Sequence, residues 1–297
     1  MNRKYIAPVV LFVIALFAVL FALLRNYSFR VFDPKGLIAR DEKDLIVHAV
    51  LLMLIVVVPV FILAFTIAWR YRAGNTNATY TPNWENSPME ELVWWAVPLE
   101  IILVLGALTW SSTQQLDPYQ PLNTPGAPLT IQVVALDWKW LFLYPSLGIA
   151  SVNELALPVN RPVEFDITAD APMNSFWIPQ LGGQIYAMTG MVNELHLVAD
   201  QTGAYEGSSA NYSGDGFAQM KFMANVTSES DFDAWVASVK QTPQTLSLSV
   251  YQALRDPGTT TPLVYASVEK NLYNAIIMQF MSPSDTMSDS MSGDMSH

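Results

Sequence analysis

Hydrophobic residues gather at the front of this chain and break up into short alternating runs behind it. Residues 5–24 (YIAPVVLFVIALFAVLFALL) carry no charge over 20 positions. That is enough helix to cross a hydrocarbon core of roughly 30 Å at about 1.5 Å per residue. Residues 45–69 (LIVHAVLLMLIVVVPVFILAFTIAW) form a second run interrupted only by His48, and residues 92–110 (LVWWAVPLEIILVLGALTW) a third with one acid, Glu100. Three membrane spans are expected. The first is either a retained anchor or a cleaved signal, and its end (ALLRNYSF) lacks the small-residue cut site of a signal peptide, which favours retention.

Beyond residue 116 the pattern changes. Residues 117–128 (DPYQPLNTPGAP) form a proline-punctuated linker. LTIQVVAL (129–136), WKWLFLY (138–144), VEFDIT (163–168), NELHLVA (193–199) and QMKFMANV (219–226) then have the β-branched and aromatic content of strands, separated by Pro, Gly and Asn. Such runs predict an antiparallel sandwich. In NELHLVA, alternation sets Leu195, Leu197 and Ala199 on one face and Glu194, His196 and Val198 on the other. In SESDFDAWVASVKQ (228–241) the period shifts, because Phe232, Trp235, Val236 and Val239 follow helical spacing, with Ser228 or Ser230 available as N-cap. A second helical stretch is expected through 264–281, and the tail SPSDTMSDSMSGDMSH has no periodic apolar face.

The fold class expected is thus membrane-anchored all-β. Residues 1–30 are a hydrophobic N-terminal segment, 31–116 a transmembrane helical hairpin, 117–226 an extracytoplasmic sandwich, 227–281 a helical C-terminal region and 282–297 a disordered tail.

Composition and charge sharpen this division. The chain has 297 residues, is 52% apolar and carries a net charge of −11. Residues 1–116 are nearly neutral, with 9 basic and 8 acidic residues, whereas residues 117–297 hold 6 basic and 18 acidic ones. An acidic exported surface argues against nucleic acid as a partner and is foremost a solubility feature. Arg3 and Lys4 place the N-terminus in the cytoplasm, so three spans leave residues 111–297 outside. Cysteine is absent, which removes disulfides and thiolate metal sites and leaves the exported part to packing alone.

That absence matters for YEGSSANYSGDGFAQM (205–220), where Ser209, Ser213, Phe217 and Met220 are spaced by four, four and three positions. The rhythm suits a metal loop, yet the side chains do not. Together with VFDPKG (31–36), WRYRA (69–73), PNW (82–84), DWKW (137–140) and MNSFWIPQLGGQIYAM (173–188), this loop resembles subunit II of the haem–copper respiratory oxidases. The resemblance runs from about residue 32 to residue 281 and is to the quinol oxidase branch, the cytochrome bo-type ubiquinol oxidases.

The resemblance implies a cupredoxin-like sandwich. In the cytochrome c oxidase branch that sandwich holds a binuclear copper centre, whose ligand positions fall here on Asn174, Ser209, Ser213, Phe217 and Met220. Two coppers sharing an electron need bridging thiolates, and a serine hydroxyl is hard and stays protonated at neutral pH. Phe217 has no donor atom and Asn174 only an amide. These are therefore vestigial positions that bind no metal. Asn211 likewise replaces the family's magnesium-supporting glutamate. The resemblance thus implies a chain without cofactor of its own, in a proton-translocating complex that reduces oxygen to water. Its partners would be subunit I, bearing the haems, copper B and the quinol site, the other subunits and membrane lipid. The location implied is the bacterial cytoplasmic membrane, with the large domain on the periplasmic or outer side.

Two acids in the third span are further candidates. Ser87, Pro88 and Glu90 read as a capping box, which leaves Glu91 unexplained. Glu91 lies seven residues before Pro98, where the resemblance puts the cytoplasmic mouth of a proton pathway; the bland alternative is a carboxylate favoured by the helix dipole. Glu100 sits mid-span, where a charged side chain costs roughly 2.5–3.5 kcal/mol, so an interface with another subunit is expected rather than lipid. His48 reads as a packing histidine and Trp138 as a packed indole. Two rival functions stay open: a membrane-anchored copper-handling protein using Met287, Met291, Met295 and His297, and a cytochrome c oxidase subunit that has lost its copper.

Overall fold

The computed structural model describes residues 29–281 except Tyr80, Pro82, Trp84 and Asn86, together with Ala15 and Val19 as isolated helical positions. Apart from those two positions the hydrophobic segment 5–24 lies outside the described residues, as do Pro82 and Trp84 of the PNW motif and the Met/Ser/Asp tail. The chain forms two compact units. One runs from Asp41 to Gln120; the other takes the described residues up to Arg40 and those from Pro121 onward.

The first unit is helical. Helix α1 (Leu37–Arg70) and helix α2 (Pro88–Gln115) have 34 and 28 residues, about 51 and 42 Å of rise, and both are long and apolar enough to cross a membrane. Helix α1 starts eight residues before the apolar run because ARDEKD is itself helix-favouring. In α2 the partly buried positions Pro98, Ile101, Leu105, Leu108 and Ser112 recur every three or four residues, and Leu45, Ala49, Leu52 and Val56 do the same in α1. Ser87 is the N-cap residue and Pro88 follows at N1, but the Ser87 hydroxyl accepts no hydrogen bond and the expected capping box is not closed. Pro88 supplies no N–H, and the turn is held instead by the Glu91 N–H donating to the Ser87 carbonyl at 2.9 Å.

The second unit is a sandwich. Its strands are β1 (Leu129–Leu136), β2 (Lys139–Tyr144), β3 (Ile149–Val152), β4 (Glu154–Pro158), β5 (Val163–Ala169), β6 (Asn174–Trp177) and β7 (Ile185–Ala187). They continue with β8 (Asn193–Leu197), β9 (Gly203–Ser209), β10 (Lys221–Thr227), β11 (Thr245–Leu246), β12 (Leu263–Tyr265) and β13 (Ser267–Val268). One sheet has the order β12-β3-β2-β1-β5-β8 and the facing sheet β4-β10-β9-β6-β7. The pairs β1–β5 and β4–β10 are parallel, and the other pairs within these two sheets are antiparallel. Between the sheets, Trp140, Phe142, Phe165, Phe176 and Phe222 make an aromatic core, with the Phe176 and Phe222 rings stacked at 5.2 Å.

Helix α3 (Glu229–Lys240) buries Phe232, Val236 and Val239, and its Ser228 cap accepts from the Asp231 N–H, as the pattern predicts. The stretch 264–281 departs from expectation. Its first part is strand, β12 and β13, and only Leu272–Met278 (α5) is helical; a further short helix, α4, spans Leu248–Leu254. Val264 and Tyr265 suit a strand, and β3 offers them an open edge with which to pair. The C-terminal segment covers the outer face of the larger sheet, where Val134, Leu141 and Leu143 pack against Tyr251, Leu272 and Tyr273.

The VFDPKG motif explains itself as a clip. The Lys35 N–H donates to the Gln180 carbonyl at 2.7 Å, the Asp200 N–H donates to the Lys35 carbonyl at 3.0 Å, and Gly36 pairs with Ala199. A Cβ on Gly36 would lie 2.6 Å from the Val198 carbonyl oxygen, so the close approach demands glycine. Arg40 pairs with Asp200, and Arg30 donates to Glu206 at 2.7 Å.

Candidate functional site

Strand β6 begins at Asn174 and strand β9 ends at Ser209, and the β6–β9 register opposes Phe176 to Ser209. Ladder geometry therefore brings Asn174 and Ser209, the first two positions of the expected set, side by side at one end of the smaller sheet. The Ser209 hydroxyl donates to Asn174 Oδ1 at 2.8 Å, while Asn174 Nδ2 donates to the Pro172 carbonyl at 2.7 Å. Both side chains are buried, at 1% and 6% exposure for Asn174 and Ser209, so this neutral pair satisfies its own polar atoms without an ion. Met220 is fully buried beneath the loop, and its carbonyl accepts from the Ser209 N–H at 3.2 Å.

The remaining two positions are turned to packing. Phe217 opens a short 3-10 turn (Phe217–Gln219) and meets Tyr212 edge to face at 5.6 Å. The Ser213 carbonyl accepts from the Trp138 indole N–H at 3.2 Å, and Gly214 and Gly216 lie against the same indole. A Cβ at Gly216 would come 2.2 Å from Trp138 Cδ2. Trp138, at φ 65°, is thus the floor on which the loop rests. Asn211 donates to the Met173 carbonyl at 3.1 Å. An amide, two hydroxyls, a phenyl ring and one thioether cannot supply bridging thiolate or imidazole. The binuclear copper centre of this loop type does not fit these residues.

In the helical unit, Glu91 and Glu100 are both exposed on α2. They are nine residues apart, two and a half turns, and so project to opposite sides of the helix. Glu91 falls in line with Pro98 and Leu105 on the partly buried seam, whereas Glu100 stands off that seam. His48 Nδ1 lies 2.6 Å from the Asp44 carbonyl one turn earlier, a contact within the helix.

Two features of the sandwich gave no sequence signal. Asp170, with a side chain 1% exposed, is held by Arg255 at 2.8 Å and by the Tyr251 hydroxyl, fastening α4 to the larger sheet. Burial, and then the Asp170 carboxylate, push the Tyr251 phenol well above its ordinary range. Lys139 Nζ donates to the carbonyls of Asp256 and Gly258, and burial pulls its pKa down. Both join residues more than eighty positions apart, in the case of Lys139 more than a hundred, and only the folded chain brings them together.

Residues 145–227 match the family described as cytochrome c oxidase subunit II, periplasmic domain, and residues 240–284 the COX aromatic rich motif. The chain is 51% identical over 259 residues to the cytochrome bo(3) ubiquinol oxidase subunit 2 of Pseudomonas aeruginosa, covering 87% of this chain and 78% of that one. It is 46% identical to the ubiquinol oxidase subunit 2 of Acetobacter aceti, covering 87% and 85%. Among solved structures, the periplasmic domain of subunit II of cytochrome oxidase from Bradyrhizobium japonicum matches at 28% identity with a TM-score of 0.37, over 39% of this chain and 95% of that one.

Proposed function

The chain belongs to the subunit 2 family of the ubiquinol oxidases, and on that premise we propose that it carries no electrons itself. It is membrane-anchored, with two membrane-length helices and an extracytoplasmic cupredoxin-like domain. Within the oxidase it caps and stabilises subunit I, which binds the haems and copper B and oxidises quinol from the lipid. The complex sits in the bacterial cytoplasmic membrane, reduces oxygen to water and translocates protons. Glu91, at the start of α2, serves the mouth of a proton pathway, and Glu100, on the opposite side, meets another subunit across the hydrocarbon layer.

The observation that carries this reading is the Ser209–Asn174 hydrogen bond in a chain without cysteine. The loop closes on itself, so electrons have no stepping stone through this domain. Neither rival is favoured: the tail of the copper-handling reading lies outside the described residues, and the relatives are named as quinol oxidases.

The purified complex tests it. Oxygen consumption should be driven by quinol, with copper confined to subunit I. Rapid, salt-sensitive oxidation of reduced cytochrome c, or a mixed-valence dicopper signal from this subunit, would overturn it.

A further inference from the structure

We propose that the outer face of strands β5 and β8 is a binding site for one zinc-class divalent metal ion, with Glu164, Glu194 and His196 as its ligands. The site lies on the larger sheet, on strands that carry none of the vestigial copper positions.

Strand register assembles the group. Antiparallel pairing sets Glu164 opposite His196 and Asp166 opposite Glu194, while Phe165, Leu195 and Leu197 point into the sandwich. Alternation therefore places all four polar side chains on the same outer face. Among the described residues, Glu164, Glu194 and His196 bring one ligand atom each to within 4.8 Å of one another. Ligand atoms bound at about 2.0–2.2 Å to one tetrahedral ion stand about 3.3–3.6 Å apart, so side-chain rotation of about an ångström draws the three onto an ion.

The imidazole distinguishes this group from an ordinary acidic patch. His196 is largely buried and brings an imidazole to two carboxylates that solvent can reach. One imidazole with two carboxylates is a borderline donor set, suited to zinc and its neighbours and unlike the all-oxygen shells of calcium or magnesium. The Tyr273 hydroxyl donates to the Asp166 carbonyl at 2.9 Å, so the C-terminal segment walls one side of the group. Strand β8 is the edge of its sheet, and an ion shared with β5 would staple it.

The full-length chain in detergent micelles, titrated with zinc(II) against a competing chelator, tests the assignment. One equivalent should bind and raise the Tm. His196→Gln and Glu194→Gln should each weaken uptake about tenfold or more and abolish the zinc-dependent rise in Tm, while His297→Gln in the tail should leave both intact. No uptake by the parent chain, or equal uptake by the parent and His196→Gln, overturns the proposal. Should His196→Gln fail to fold, Glu194→Gln decides on the same readout.

Discussion

The Ser209 hydroxyl donates a 2.8 Å hydrogen bond to Asn174 Oδ1, joining the end of β9 to the start of β6. The bond is buried, and Asn174 spends its amide hydrogens on the Pro172 carbonyl. Ser209→Ala would leave the Asn174 oxygen dry and unmatched, at a cost of about 1–3 kcal/mol. Thermal unfolding of the full chain should show that loss, and quinol-driven oxygen consumption by the assembled complex should be unchanged at low temperature. A fall in turnover without a fall in Tm would mean that the loop takes part in the reaction.

Gly216→Ala tests the seat of the same loop. Its new methyl would fall 2.2 Å from the Trp138 ring, and displacing a packed indole costs about 1–3 kcal/mol. A lowered Tm with a shifted tryptophan emission is expected. Unchanged emission would show that the loop moves and the indole stays.

Removing either partner of the buried Asp170 should have unequal effects. Arg255→Ala strands a carboxylate with a side chain 1% exposed and should cost about 3–5 kcal/mol, whereas Tyr251→Phe removes one hydrogen bond to a charged group, about 1.5–3 kcal/mol. Limited proteolysis should release the segment after Lys240 faster in both, and fastest in Arg255→Ala.

Acid should loosen the N-terminal clip. The hydrogen bond from Arg30, and then Lys221, hold the Glu206 carboxyl below its ordinary value of 4.5. A depressed folded-state pKa contributes stability that is present above about pH 4.5 and lost as pH falls through the folded value. Glu206→Gln should lower the Tm at pH 7 by an amount equivalent to less than about 1 kcal/mol, the range for exposed pairs, and this difference from the parent should shrink as pH falls below the ordinary carboxylate value. A difference that stays constant through the acid range would assign the effect to packing.

Glu91 and Glu100, on opposite sides of α2, should separate when neutralised. Glu91→Gln is expected to lower turnover about tenfold in a complex that still assembles. Glu100→Leu should reduce recovery of the complex while the surviving fraction turns over normally. Loss of proton uptake in an intact Glu100→Leu complex would reverse the two roles.

The sequence alone determined the large divisions of this protein, because they rest on local periodicity and on elements that must be present. Long apolar runs mark α1 and α2, alternation gives the inward face of β8, and a helical period gives α3 with Ser228 as one of two cap candidates. The absence of cysteine by itself excludes a thiolate-bridged copper centre. Tertiary structure decided what depends on residues distant in the chain. It turned Val264 and Tyr265 from expected helix into strand, since β3 had an edge to fill, and it left the Ser87 cap open. It also joined Asp170 to Arg255 and gathered Glu164, Glu194 and His196 on one face. A sequence records which donors exist, and only strand register and packing fix which of them meet.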